Sequence, residues 1–241
     1  MAEPNRFNAW INPLRFFPLD EPSPSDAAVP SAEAFLEFFS LPGVPADAGN
    51  LTKRYREISP EPVVLFVVPA ERKILEKLVW PLRHAKAAYM VGNYLSTIAL
   101  SGMVAEMVAV LLFDIAGVTV TGRPMTSKDQ AALFGREFEK LDQFRRVEVL
   151  HGYGLIDDST KSMFDGIRTI RKKYLHLWSQ GQAQIASDAV NAYHSALSLV
   201  VRAVAPEIRD GAFHLSPALV RYLERVKASE APPEPPLASS T

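Results

Sequence analysis

Arg171 and His176 are the residues of this chain whose types and spacing point most directly to chemistry. An imidazole titrates near neutrality, so His176 can give or take a proton at physiological pH. Arginine is permanently charged and forked, which suits Arg171 to hold an anion and to stabilise negative charge growing on it. Arg168, Lys172 and Lys173 stand beside them, so four cations fall within six positions. Spacing alone also supports an ordinary reading. A cationic face opposite an apolar stripe is commonly the solvated side of an amphipathic helix, and cations near a helix C-terminus favour its dipole.

The element that must carry these residues is a helix over 158–178, with Asp157, Asp158 and Ser159 as candidate caps. On a helical wheel Met163, Ile167, Ile170, Tyr174 and Leu177 form one stripe and face the core. Arg168, Lys172 and His176 stack at i, i+4 and i+8 on the opposite side, and Arg171 falls on the flank. Tyr174 belongs to the core stripe, so packing is its expected role.

The surrounding chain reads as mainly helical. Residues 1–62 are rich in proline, which removes backbone donors and disfavours long regular elements. Aromatics such as Phe7, Trp10 and Phe16 suggest a partly extended N-terminal arm that docks on the main domain or another subunit, interrupted by a short helix at 32–39. The β-branched run 63–68 is a lone strand or a buried extended segment. The Trp80-Pro81 step predicts a kink or restart, followed by one long apolar helix ending near Gly117. Further helices are expected at 128–150 (in one or two pieces), 183–204 and 216–227. The main helical domain is thus placed at 63–228, with a disordered, proline-rich tail at 229–241.

Composition bounds the function. A 48% hydrophobic and 22% charged chain of 241 residues can build a real core. Net charge is −1, so a nucleic-acid site has to be a local patch. With no cysteine there is no disulfide framework, thiolate metal site or cysteine nucleophile. The histidines show no metal-binding spacing, and no phosphate-cradling glycine loop or nucleophile elbow is present. No metal or cofactor is expected. The N-terminus lacks the basic start and apolar run of a secretory signal, and the uncharged stretch 87–105 carries polar residues that suit a protein core better than lipid. The expectation is a soluble, cytoplasmic protein with no membrane span.

The stretch from Leu150-His-Gly-Tyr-Gly-Leu-Ile through Ile167-Arg-Thr-Ile-Arg-Lys-Lys-Tyr-Leu-His176 resembles the signature helix of the HEPN superfamily, in which an Arg and a His enclose four to six residues. The resemblance covers roughly residues 82–205 and extends to the upstream apolar helix with its acidic residue, Glu106. Lys172 departs from the pattern, standing where a small polar residue such as Asn is common. The resemblance implies an all-α helical bundle and metal-independent RNA cleavage at a site shared by two subunits, of the toxin or antiviral-defence kind. On that reading His176 acts on a ribose 2′-hydroxyl and the leaving oxygen, Arg171 binds the phosphate, and Arg168, Lys172 and Lys173 hold neighbouring phosphates. Glu106 is expected to contact and orient the Arg171 region, although a carboxylate in an apolar helix also pairs with buried bases for purely structural reasons.

A regular α-helix holds residues five apart about 140° around the wheel. One copy aims Arg171 and His176 at one phosphate only if the Arg side chain wraps around or the helix end unwinds. Two copies across a twofold axis also solve the problem, hence an expected homodimer. A companion antitoxin or defence-complex protein is a further expected partner. The alternatives are a non-catalytic module of the same fold that binds RNA, a nucleotide or a protein, and a structural subunit docked through its N-terminal arm.

Overall fold

A computed structural model of the chain describes residues 36, 39–41, 43–59, 72–176, 181, 183–204, 207–209 and 212–230. Among them the chain is mainly helical. Helices α1 (Ala48–Ile58), α2 (Arg72–Met90) and α3 (Tyr94–Ala116) lead to a minimal hairpin of β1 (Thr119–Val120) and β2 (Arg123–Pro124). Helix α4 (Ser127–Phe134), a 3₁₀ turn (Phe138–Lys140) and α5 (Gln143–Gly152) follow. Helix α6 (Asp158–Arg171) passes into a π-helical turn (Lys172–His176), and α7 (Ile185–Val204) precedes a second hairpin, β3 (Glu207–Arg209) with β4 (Ala212–His214). Helix α8 (Pro217–Glu230) is the last described element.

Helix α3 is the axis of the bundle because it is apolar on every side. Such a helix is stable only when surrounded. It packs against α2, α5, α6, α7 and α8 and buries Ile98, Val104, Val108, Ala109 and Phe113. Asn93 caps its start by accepting the Ser96 amide, and Thr97, fully buried, donates to the Ala85 carbonyl of α2 at 3.0 Å. By length and composition α3 is the one helix among the described residues long and apolar enough to cross a membrane.

The helix break differs from the expected one. Helix α2 runs through Pro81 without interruption. The carbonyl that loses its donor belongs to Lys77, an exposed residue, where water can satisfy it. The break falls instead at Gly92, which has φ +81° and whose Cβ would lie 2.6 Å from Val44 Cγ1. Only glycine meets both conditions.

The proline-rich segment is also more regular than expected, since α1 lies within it and packs on α2 and α7. Arg54, buried in α1, donates to the Met90 carbonyl at the end of α2 at 2.7 Å and to the Pro45 carbonyl at 2.9 Å. A buried cation thereby satisfies a terminal helix carbonyl. For residues 48–58 the extended-arm expectation is therefore replaced by a docked helix. Of the short helix expected at 32–39, Leu36 and Phe39 are helical and the rest lies outside the described residues. The run 63–68 and residues 231–241 also lie outside them. The 128–150 segment divides into α4 and α5 around Gly135.

Candidate functional site

Helix α6 starts on Asp157, whose carboxylate accepts the Thr160 amide at 2.7 Å. The Thr160 hydroxyl first, and then this amide, hold the Asp157 carboxyl below the usual carboxylate range. From there the deeply buried line runs through Thr160, Phe164 and Ile167. Continued by four residues, this line reaches Arg171. Met163, Ile170 and Tyr174 of the expected stripe are only partly buried and edge the core. The face is thus rotated from the sequence reading, and Arg171 is turned inward rather than flanking. Phe164 is fully buried, whereas Met163 only packs against the edge of the core.

Arg171 can turn inward because Gly102 faces it. A Cβ at Gly102 would collide with the Cδ and Nε of Arg171. The guanidinium lies across this bare stretch of α3 and its Nη1 donates to Oε1 of Glu106, one turn further on. The expected contact between Glu106 and Arg171 is present, as an ion pair joining α3 to the end of α6. Both side chains stay partly exposed, at 29% for Arg171 and 37% for Glu106.

These residues line a cavity of about 410 Å³, floored by Gly102, Ala105, Phe164 and Ile167 and rimmed by Glu106, Gln143, Arg168, Arg171 and Lys172. Its lining holds three cations and one carboxylate. Several polar atoms in it are buried without a protein partner: Nε of Arg168, Nε of Arg171 and both ends of the Gln143 carboxamide. Unmet hydrogen-bonding groups of this kind are costly to bury. Donors carrying positive charge favour an anion. Arg168 is steadied by Asp165, which accepts from its Nη2 at 3.1 Å, and by the Phe144 ring 5.1 Å from its guanidinium carbon. Burial pushes the Asp165 carboxyl up, but hydrogen bonds from Lys161 and Arg168 outweigh that and hold it below its ordinary value.

Lys173 is placed elsewhere. It faces α7, where its Nζ lies 2.9 Å from Asp188 Oδ2, and the Tyr174 hydroxyl donates to the same oxygen at 2.8 Å. Contact with Tyr174 and then Asp188 raises the Lys173 pKa. Arg168, Arg171 and Lys172 are therefore gathered around one cavity and Lys173 is not. The backbone of His176 ends the π turn; its side chain lies outside the described residues.

The π turn alters the geometry of the Arg171–His176 pair. A π-helix closes i→i+5 hydrogen bonds, so positions five apart lie about one turn from each other. The backbone at these two positions is thus brought much closer to a common face than a regular α-helix allows. The unwinding that one copy needs is present in the backbone.

Sequence reasoning missed Gly102, Gln143 and Phe144. A lone glycine inside an apolar helix, four residues before Glu106, was a readable sign of close approach. Gln143 and Phe144 open a short helix whose pattern gives no hint of what it faces.

Glu106 also borders a second cavity of about 530 Å³ on the other side of α3, lined mostly by apolar residues including Met103, Met107, Val110 and Tyr222. Burial there pushes the Asp114 carboxyl up to about 6. Among the described residues no three His, Asp or Glu side chains gather as a metal site. Compared with protein-family models, curated proteins and solved structures, the chain matches none.

Proposed function

We propose that this chain is a HEPN-like helical bundle that cleaves RNA without a metal ion, as a homodimer with a shared Arg171/His176 site. The observation that carries the reading is Arg171 held by Glu106 over a cationic cavity, with His176 one π turn away. Arg171 holds the scissile phosphate and stabilises charge on its oxygens as the 2′-oxygen attacks. One imidazole takes the 2′-hydroxyl proton while a proton is delivered to the departing 5′-oxygen, leaving a cyclic phosphate and a 5′-hydroxyl. One imidazole cannot be base and acid in the same moment. Two copies supply two, and this supports the dimer. Lys172 and Arg168 hold flanking phosphates, and Glu106 is a positioning residue for Arg171. Such an activity suits a cytoplasmic toxin or antiviral effector held in check by a companion protein.

A second reading is a non-catalytic binding module of the same fold. It is favoured by Lys172 beside the motif arginine and by the engagement of Arg171 with Glu106. One assay separates the two. Purified protein is incubated with mixed single-stranded RNAs in chelator, comparing wild type, Arg171→Ala and His176→Ala. Metal-free cleavage that falls about 10²–10³-fold in both variants supports the nuclease. RNA binding weakened in Arg171→Ala, with no cleavage by wild type, selects the binding module. Equal background and unchanged RNA affinity in all three remove both.

A further inference from the structure

We propose that the first turn of α5 is a single-stranded RNA track leading from the Arg171 cavity into a second cationic cavity. The inference rests on the RNA-binding reading above and extends that site to named residues. Three consecutive side chains carry it. Gln143 lines the Arg171 cavity and Arg145 lines a separate cavity of about 530 Å³, whose walls also hold Arg136, Lys140 and Asp142. Phe144 stands between them, 47% exposed, with the Arg168 guanidinium over its ring. The order along the chain is therefore cavity, aromatic, cavity.

Gln143 marks the end of the track at the Arg171 cavity, which it lines, with its carboxamide buried and lacking a protein partner. The ring and the second cavity each fit one part of a nucleotide. An exposed aromatic ring beside an arginine is a stacking platform for a base. In the second cavity three cations face one carboxylate. Asp142 caps α5 through the Arg145 amide, and Lys140 is shared with Glu137 at 2.7 Å. The Arg136 guanidinium rests on the Lys140 carbonyl at 3.4 Å, and Arg145 has no ion pair among the described residues. The surplus of positive charge suits the next phosphates of a strand. A protein of net charge −1 gains an electrostatic path for RNA only where cations are concentrated like this.

The test measures binding of fluorescein-labelled 2′-O-methyl oligouridylates of two to twelve nucleotides, which cannot be cleaved through their 2′-oxygens. Wild type, Arg145→Glu, Arg136→Glu and Phe144→Ala are compared across a salt series. Affinity of wild type is expected to rise with length and then level off. In Arg145→Glu and Arg136→Glu the longest oligomer should bind about tenfold more weakly, with a salt slope shallower by about 0.7, while the dinucleotide is unchanged. Phe144→Ala should also weaken the long oligomer about tenfold, through lost stacking. Thermal melts of the charge variants, which change exposed residues, check that the fold is kept. Length-independent binding, or equal weakening of short and long oligomers, overturns the track while leaving the nuclease assay to stand or fall on its own. Length-dependent binding lost in Arg145→Glu, beside a wild type that cleaves nothing, keeps the track and removes the nuclease. No binding at any length removes both.

Discussion

Two cations stand two residues apart at the end of α6 and meet different fates. Lys173 reaches α7, where Asp188 and Tyr174 absorb it in a closed arrangement. Arg171 reaches α3, where Glu106 takes one nitrogen and another is left buried and unpaired beside a cavity. A satisfied ion pair ties elements together; an unsatisfied one has capacity for a ligand. Charge and position in sequence are nearly the same for the two. What distinguishes them is the residual hydrogen-bonding capacity and the space next to it.

The sharpest way to break this contrast is to remove each cation in turn. On the proposed nuclease reading, Arg171→Ala should lower RNA cleavage about 10²–10³-fold, whereas Lys173→Ala should leave turnover within about twofold and lower Tm instead. Equal losses of cleavage in the two variants would end the distinction. Next in size is Gly102→Ala. The added methyl occupies the place of the Arg171 side chain and should reduce cleavage about 10²-fold. Helix propensity opposes any destabilisation, since alanine is better than glycine in a helix interior by about 1 kcal/mol. Melting and activity measured on the same sample separate positioning from folding; a fully active variant refutes the role given to the bare backbone.

Smaller again is Glu106→Gln, which keeps an acceptor for Arg171 but discards the charge. Cleavage should fall about tenfold, mostly in kcat rather than KM. Comparable loss in KM alone would assign Glu106 to substrate binding.

The smallest effect concerns Asp114, the carboxylate further along α3 that burial raises to about 6. In the unfolded chain it titrates near the ordinary aspartate value, so the folded protein binds more protons between the two. Its contribution to stability is therefore fully present below about pH 4 and is lost as pH rises through 6. Asp114→Asn should raise unfolding free energy at pH 7.5 by about 1 kcal/mol once solvent screening of this part-exposed group is discounted, shrinking toward zero near pH 4. Urea titrations at the two pH values check it. A gain of the same size at both would mean that charge burial is not the cause.

Much of the architecture was legible. A long apolar run located α3, the break at Gly181 set off α7, apolar periodicity located α6, and an acidic residue in an otherwise apolar helix pointed to a basic partner at the end of α6. The rest depended on contacts that a one-dimensional pattern does not encode. The break between α2 and α3 lies at Gly92 because Val44, far away in sequence, occupies the space of a side chain there. Proline at 81 looked like the stronger signal, yet an exposed turn tolerates it. Arg171 was assigned to a flank because the wheel weighted Met163 and Ile170, whereas tertiary packing selected Phe164. The cavity itself needs Gln143 from α5, a helix too short for its faces to be read from sequence.

The π turn has a consequence for length tolerance. Three residues between an arginine and a histidine on a plain α-helix would align the two, since i and i+4 share a face. Here there are four, and the widened turn takes up the extra one within Lys172–His176. Insertion and helix type compensate each other locally, so the register of α6 against α3 and α7 is preserved. A single-residue deletion between Lys172 and Leu175 should accordingly yield a regular α-helical end with the two positions still aligned. Deletions placed before Arg171 would rotate it out of the slot over Gly102.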